Sequence, residues 1–450
     1  MKYTTDYLTF ESETGAKMTN SGIPSSAYLH IPFCRRRCYY CDFPVFVVGD
    51  RKNGDNSGTI IQYVDVLCQE IRETPNLGQS LKTVFFGGGT PSLLSVSQLS
   101  TILETLDSKF GIAAEAEISI EIDPGTFTLE QLQGYVKAGV NRVSLGSQAF
   151  QDELLQACGR SHSVADIFES VEIVRSAGIL NFSLDLISGL PHQTLSQWQA
   201  SLESAVKISP THLSSYDLVV EPVTAFGRYF QAGEQPLPAD ETAAQMYRLA
   251  QQILTGSGYE HYEISNYALP GYQCRHNCVY WENRAYYGFG MGAASYVEGV
   301  RLTRPRKTQE YYQWVRSIYP INSQPDADSK IIKQDFPMSE NEVLLETLML
   351  GLRLAKGLSL SVLADKFGQR TVDKILQCLQ PYWRQGWVQV VDADSAIPYE
   401  ITSLHAILDE GDGLPLSGNL RLSDPEGFLF SNTILATLFN KLEDSIASIK

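Results

Sequence analysis

Ala27-Tyr28-Leu29-His30-Ile31-Pro32 runs straight into Phe33-Cys34-Arg35-Arg36-Arg37-Cys38-Tyr39-Tyr40-Cys41. The first six residues read as an apolar strand, and three cysteines follow within one short loop. The strand pattern recurs at 83–86, 117–122, 142–145, 181–187 and 212–220. Between these runs, apolar residues fall at helical spacing, as at Val164, Ile167, Phe168, Val171 and Val174. Helix starts carry capping-box pairs: Ser95 with Gln98, Thr128 with Gln131, Ser163 with Asp166, Thr194 with Gln197. Several strands are apolar almost throughout, as expected when both faces of a parallel sheet are covered. Six β/α units predict an α/β chain with a partial (β/α)6-type barrel, not an open dinucleotide-binding sheet.

Polar and glycine-rich residues collect where the strands end. They are Gly87-Gly88-Gly89-Thr90-Pro91, Glu121 with Asp123, Ser147-Gln148, and Asp185 with Ser188-Gly189. The C-terminal rim of such a barrel is where active sites are built. Around this core the 450 residues divide into a tail (1–24), the barrel (25–235), an extension (236–318), a linker (319–337) and a C-terminal helical domain (338–450). In the extension, ten of the 38 residues from 259 to 296 are aromatic, against 10% of the chain, which marks it as distinct. The C-terminal part shows helical periods at 342–354 and 361–379 and a β-like 387–391, suggesting a small winged-helix-like unit. Residues 409–418 read as a loop.

The formal charge is −16, which disfavours generic binding to nucleic acid or anionic membrane surfaces. The basic run 301–307 is an exception, and it reads as a solvated face. No run approaches the ~18 apolar residues that span a bilayer, and no signal peptide is readable. Eight cysteines are too few for a disulfide scaffold, so clustering three of them points to metal chemistry in the cytoplasm. Cys68, Cys158 and Cys378 fall in helical segments and read as core.

Three thiolates at this spacing can serve two centres. Zinc would need a fourth ligand, with His30 nearest and Cys68 more remote. A [4Fe–4S] cluster held by Cys34, Cys38 and Cys41 would leave one iron open. Cys-x3-Cys-x2-Cys resembles the signature of radical S-adenosylmethionine enzymes, in which the open iron takes the amino and carboxylate groups of S-adenosylmethionine. The glycines at 87–89 would then let the backbone approach that ligand without a Cβ in the way.

Tyr28-Leu29-His30-Ile31-Pro32-Phe33-Cys34, Phe86-Gly87-Gly88-Gly89-Thr90-Pro91, Glu121-Ile122-Asp123-Pro124, Ser144-Leu145-Gly146-Ser147-Gln148 and Asp185-Leu186-Ile187-Ser188-Gly189-Leu190-Pro191 occur in order. Together they resemble the oxygen-independent coproporphyrinogen III oxidase family over nearly the whole chain. The resemblance implies S-adenosylmethionine contacts at Tyr28, Tyr40, Gly88, Gly89, Thr90, Glu121, Gln148, Arg160 and Asp185, and at Ala294. The alternative for Arg160 and Asp185 is a structural ion pair.

Two departures separate the branches of that family. The oxidases resemble Cys-x3-Cys-x2-Cys-x-Cys, but position 43 here is Phe. The chain also carries His276-Asn277-Cys278-Val279-Tyr280-Trp281, which resembles the His-Asn-x-x-Tyr-Trp motif of a heme chaperone branch. That branch implies heme binding, His276 as ligand to heme iron, and no oxidase activity. It also implies delivery to recipient hemoproteins, membrane-bound respiratory subunits among them, peripheral membrane attachment during delivery, and a cluster-dependent homodimer. Two other readings stand beside it: His276 as a satisfied polar residue in an aromatic core, and an oxidase that decarboxylates coproporphyrinogen III.

Overall fold

The computed structural model describes residues 22–318, 338–392 and 418–447. The tail up to residue 21, the linker at 319–337 and nearly all of the 409–418 loop lie outside these. All six expected strands form: β1 (Ser26–Ile31), β2 (Leu81–Gly88), β3 (Ile112–Ile122), β4 (Arg142–Gln148), β5 (Phe182–Ser188) and β6 (His212–Asp217). They pair parallel in chain order, which requires a crossover after each strand. Helices supply the crossovers: α1 (Gly58–Glu73), α2 (Val96–Phe110), α3 (Leu129–Lys137), α4 (Asp152–Ala157), α5 (Val164–Ser176) and α6 (Leu195–Ile208). Their apolar stripes cover the outer face of the sheet, where Val84, Phe86, Val143, Leu145 and Leu184 are buried.

Three of the four expected capping boxes close in both directions, at Ser95, Ser163 and Thr194. At Thr128 only half forms. The Gln131 side chain instead donates to the carbonyls of Ser92 (2.9 Å) and Leu94 (2.8 Å), tying α3 to the loop after β2.

The aromatic-rich stretch completes the sheet. It supplies β7 (Glu260–Glu263), β8 (Asn266–Ala268) and β9 (Tyr287–Phe289). The sheet order is β9-β1-β2-β3-β4-β5-β6-β8-β7, with β9 parallel to β1 and the last two strands antiparallel. Among the described residues β9 and β7 do not pair, so the curved sheet stays open. After β6 come α7 (Ala225–Tyr229) and α8 (Asp240–Gly256); between β8 and β9 lies the short helix α9 (Arg275–Trp281).

The basic run 301–307 is solvated only in part: Arg306 and Lys307 are exposed, but Arg301 and Arg304 are drawn into ion pairs. It spans the second strand of a hairpin, β10 (Ala294–Val297) and β11 (Val300–Thr303), and the turn into α10 (Thr308–Ile318). Arg304 is buried and pairs at 2.8 Å with Glu70, itself inaccessible on α1. Glu70 also accepts from Tyr311 Oη (2.7 Å) and the Gly290 amide (2.9 Å). Arg301 pairs with Glu346 (2.6 Å). An unpaired buried carboxylate would be costly, so the arginine is drawn inward.

The C-terminal part has its own apolar core. It comprises α11 (Glu340–Gly351), α12 (Leu360–Phe367), α13 (Gln369–Arg384) and α14 (Ser431–Ala447), with a small sheet. That sheet orders β12 (Leu358–Ser359), β14 (Gly418–Leu422) and β13 (Val388–Asp392). The single helical period expected over 361–379 is split at Gly368, whose φ of 84° suits glycine. Arg248 on α8 grips Glu426 through two bonds (2.7 and 3.0 Å), joining this unit to the barrel. No helix among the described residues is long and apolar enough to cross a membrane.

Candidate functional site

Side-chain alternation builds the site. Along β4, Arg142, Ser144, Gly146 and Gln148 face inward while Val143 and Leu145 pack under the helices. The inward faces of β1 to β6 enclose a cavity of about 550 Å³, open at the strand C-termini, where the cysteine loop forms one wall.

That loop is pinned at both ends. Phe46 N–H donates to Pro32 O (2.6 Å) and Val48 N–H to Cys34 O (2.9 Å), closing the excursion from 34 to 46. The glycine loop after β2 underpins it, with Gly89 N–H on Ile31 O (2.9 Å) and Thr90 N–H on Phe33 O (2.7 Å). A Cβ on Gly89 would lie 2.7 Å from Phe33 O; one on Gly88, at φ +113°, would lie 2.5 Å from the His30 ring. The glycines therefore make room for the protein's own backbone and imidazole. Gly88 and Gly89 also line the cavity, where the expected approach of a ligand to their backbone stays open.

Cys34, Cys38 and Cys41 are free and half-buried, and all three line the cavity. Burial pushes the Cys34 thiol up to about 12, with Asp123 adding to it, and raises that of Cys41. Metal loading must therefore expel protons. The donor set suits an iron–sulfur cluster better than zinc. His30 has both ring nitrogens engaged, with Tyr28 Oη (3.1 Å) and Pro44 O (3.0 Å), and Cys68 is buried in α1. Among the described residues no three His, Cys, Asp or Glu side chains converge at single-ion spacing. A cubane asks each thiolate for a different iron, and three soft sulfurs match it.

Of the ten residues expected at S-adenosylmethionine, eight line this cavity: Tyr28, Tyr40, Gly88, Gly89, Glu121, Gln148, Arg160 and Asp185. Thr90 does not; its hydroxyl turns to Asp123 (3.0 Å). Ala294 does not either, because it pairs with Thr303 in the β10–β11 hairpin. Asp185 is half-buried in the cavity wall and accepts from Ser144 (2.9 Å), Ser214 (2.7 Å) and Ser183 (3.2 Å). Burial nonetheless raises its pKa. Burial also lifts Glu121 to about 8, with neighbouring Asp185 and Asp123 adding to the rise despite the Gly88 amide at 2.9 Å. Arg160 pairs with Asp123 rather than Asp185, and donates to Cys38 Sγ (3.4 Å) and Gly146 O (3.0 Å). Gln148 holds φ at 65°, a backbone strain typical of functional positions.

The His-Asn-x-x-Tyr-Trp segment is α9, and it plugs the barrel from below. Glu117 on β3 accepts the N–H groups of Arg275 (3.2 Å) and His276 (3.1 Å), capping the helix from inside the sheet. His276 is wholly buried. Its Nδ1 bonds Thr83 Oγ1 (2.8 Å), its Nε2 bonds Tyr280 Oη (2.8 Å), and its ring stacks on Phe85 at 5.2 Å. Burial, then Arg142 and Arg284, depress its pKa to about 3, so it is neutral. Both ring nitrogens of His276 are thus engaged, so heme ligation there, as the motif leads one to expect, asks the Thr83 or Tyr280 hydroxyl to release one of them. The motif meets the cavity through Asn277 and Tyr280 instead. Sequence reading also missed Arg142, His212 and Ser214 on the cavity wall, whose signal was their alternation with apolar neighbours.

Residues 28–205 match the radical SAM superfamily, and residues 338–393 match the HemN C-terminal domain. Coproporphyrinogen III oxidase (HemN) from Escherichia coli shares the fold, with a TM-score of 0.72 over 93% of this chain and 90% of that one, at 23% identity. The heme chaperone HemW of Synechocystis is 46% identical over 424 residues, covering 94% of this chain and 98% of its own. HemW of Bacillus subtilis is 36% identical over 76% of this chain and 87% of its own, and HemW of Escherichia coli 34% over 80% and 94%. The superfamily works with a [4Fe–4S] cluster and S-adenosylmethionine, which a three-thiol loop over half-buried carboxylates fits. With this identity spread over nearly the full length of its relatives, the chain belongs to the heme chaperone HemW family of radical SAM proteins.

Proposed function

We propose that this protein binds heme and passes it to recipient hemoproteins, using a radical SAM scaffold without coproporphyrinogen oxidase activity. The 46% identity to a heme chaperone over 98% of that chain carries the reading. Phe43, where the oxidases would have a further cysteine, favours it too. In this proposal Cys34, Cys38 and Cys41 hold one [4Fe–4S] cluster. When bound, the cluster supplies an open iron for the amino and carboxylate groups of S-adenosylmethionine. The chain does the rest. Arg160 holds Asp123 and the Cys38 sulfur in register, and the serine-cradled Asp185 and Glu121 offer acceptors for a ribose diol. Tyr28 and Tyr40 flank the adenine. Membrane-bound respiratory subunits as recipients, peripheral attachment from the cytoplasm and a cluster-dependent homodimer belong to the same proposal.

The test uses anaerobically reconstituted full-length protein, assayed separately for heme transfer to an apo-hemoprotein and for conversion of coproporphyrinogen III. Heme retained and transferred, with no protoporphyrinogen formed, is the expected result. Turnover to protoporphyrinogen would replace this reading with the oxidase.

A further inference from the structure

Arg142 opens β4, and its side chain turns into the barrel with 2% of its surface exposed. It lines the inner end of the cavity, where Asn277 and Tyr280 of α9 also face the space. A guanidinium brings five N–H donors to such a place. Among the described residues its Nε has no hydrogen-bond partner. The ion pairs Arg160–Asp123 and Arg304–Glu70 do not include it. Ser119, its register partner on β3, is 1% exposed, and among the described residues its hydroxyl has no partner either. Buried polar groups are almost always paired, and a buried charge without hydrogen bonds is costly to a fold.

The acidic groups nearby are already engaged. Burial works against the charge of Arg142, yet the groups around it, Glu117 and Asp185 among them, raise its pKa, so it stays a cation. Glu117, however, gives its oxygens to the N–H groups of Arg275 (3.2 Å) and His276 (3.1 Å). Asp185 gives its own to three serines. Arg142 thus combines a balanced charge with unsatisfied donors. That combination marks a group that meets its acceptor in a ligand.

We propose that Arg142, with Ser119 beside it, is a carboxylate-binding site at the floor of the barrel, receiving the acid group of a ligand that reaches the inner end of the cavity. A carboxylate fits because its two oxygens match the guanidinium fork, and the Ser119 hydroxyl adds a donor from the neighbouring strand. Arg142 and Gln148 stand at opposite ends of β4, roughly 20 Å apart at the usual rise per residue. The amino-acid end of an S-adenosylmethionine held at the thiols, by the cavity mouth, therefore stays out of reach of Arg142. Two sources of the acid group remain. One is a propionate of heme, which rests on the function proposed above; the other is the carboxylate of a further S-adenosylmethionine. The competing assignment is a purely structural arginine that balances Glu117 under α9.

The test titrates reconstituted full-length protein with two pairs of probes: heme and heme dimethyl ester, S-adenosylmethionine and its decarboxylated analogue. Wild type would be compared with Arg142→Gln, Arg142→Lys and Ser119→Ala, and with Lys207→Gln on the exposed surface of α6 as a control of equal charge change. Wild type should prefer the acid over its carboxylate-free counterpart in at least one pair. Arg142→Gln should cut that preference tenfold or more, and Arg142→Lys and Ser119→Ala several-fold. Lys207→Gln should leave it within twofold. A loss seen with heme against its ester names the propionate as the source; one seen with the adenosyl pair names S-adenosylmethionine. Preferences unchanged in folded Arg142→Gln and Arg142→Lys overturn the site and leave Arg142 as the counter-ion of Glu117. Should Arg142→Gln not fold, Arg142→Lys and Ser119→Ala decide by the same ratios. If wild type takes up no heme, the functional reading fails, and the adenosyl pair alone decides the site.

Discussion

The loop from Cys34 to Val47 and the helix from Arg275 to Trp281 reach the same cavity from opposite ends. The loop is tied down at its two ends and leaves its aromatic side chains in solvent. The helix is held along its length, by Glu117 at its start and by Thr83 and Phe85 at His276. Both carry a motif specific to the family, yet the loop's thiols line the cavity while the helix's imidazole is held by its neighbours. A motif's specificity therefore says nothing about whether its side chains are free. That follows only from where each hydrogen-bonding group is satisfied.

The contrast can be broken most sharply at Cys38. Cys38→Ala should abolish cluster assembly, with iron near zero after anaerobic reconstitution, while heme is retained. Stoichiometric zinc and no iron in the wild type would remove the cluster from the argument. The next effect lies at the other end of the cavity. His276→Ala deletes a buried ring and strands the hydroxyls of Thr83 and Tyr280, so urea unfolding should show a loss of about 3–4 kcal/mol. The heme off-rate of the folded variant should rise, because the axial nitrogen expected from the motif is gone. An unchanged heme spectrum and off-rate in folded His276→Ala would leave that residue a purely structural role.

A third effect is set by pH. Glu121 is raised from its ordinary value to about 8 by burial, so between roughly pH 4.5 and 8 the folded protein holds a proton that the unfolded chain has released. Stability should therefore fall as pH rises through that window, by at most about 1.4 kcal/mol per pH unit, and level off above it. Glu121→Gln in ligand-free protein should flatten this component, read as urea midpoint against pH. An identical slope in the variant would show that the carboxylate is already ionised at neutral pH. The smallest effect is Phe43→Ser, expected within about 0.5 kcal/mol of wild-type stability because the ring is exposed. A larger loss would mean that Phe43 packs against the fold.

The six central strands were legible because each is long enough to show an apolar run, and most of the crossover helices start on a side-chain cap. The cysteines and the acidic strand ends were legible for a related reason: chemistry-bearing residues at the same end of successive strands must share a rim. Three things were not. Strands β7, β8 and β9 have only three or four residues each, too short for a period to emerge from the surrounding aromatics. The placement of α9 depends on Glu117, some 160 residues earlier, and no local pattern announces such a partner. Arg304 read as solvated with the rest of its run because its countercharge, Glu70, lies 234 residues earlier in the chain.

The plug also fixes a length. Tyr280 forms part of the cavity wall opposite the thiols, its hydroxyl fastened to His276 and its ring set edge-on to Tyr286 at 4.7 Å. Such a floor has little freedom to sink, so the distance from sulfur to phenol acts as a ruler for whatever occupies the space between. Replacing Tyr280 with a smaller side chain would lengthen that ruler by about the depth of one ring. The barrel could then be tuned to longer adenosyl ligands from beneath, without touching a residue at its mouth.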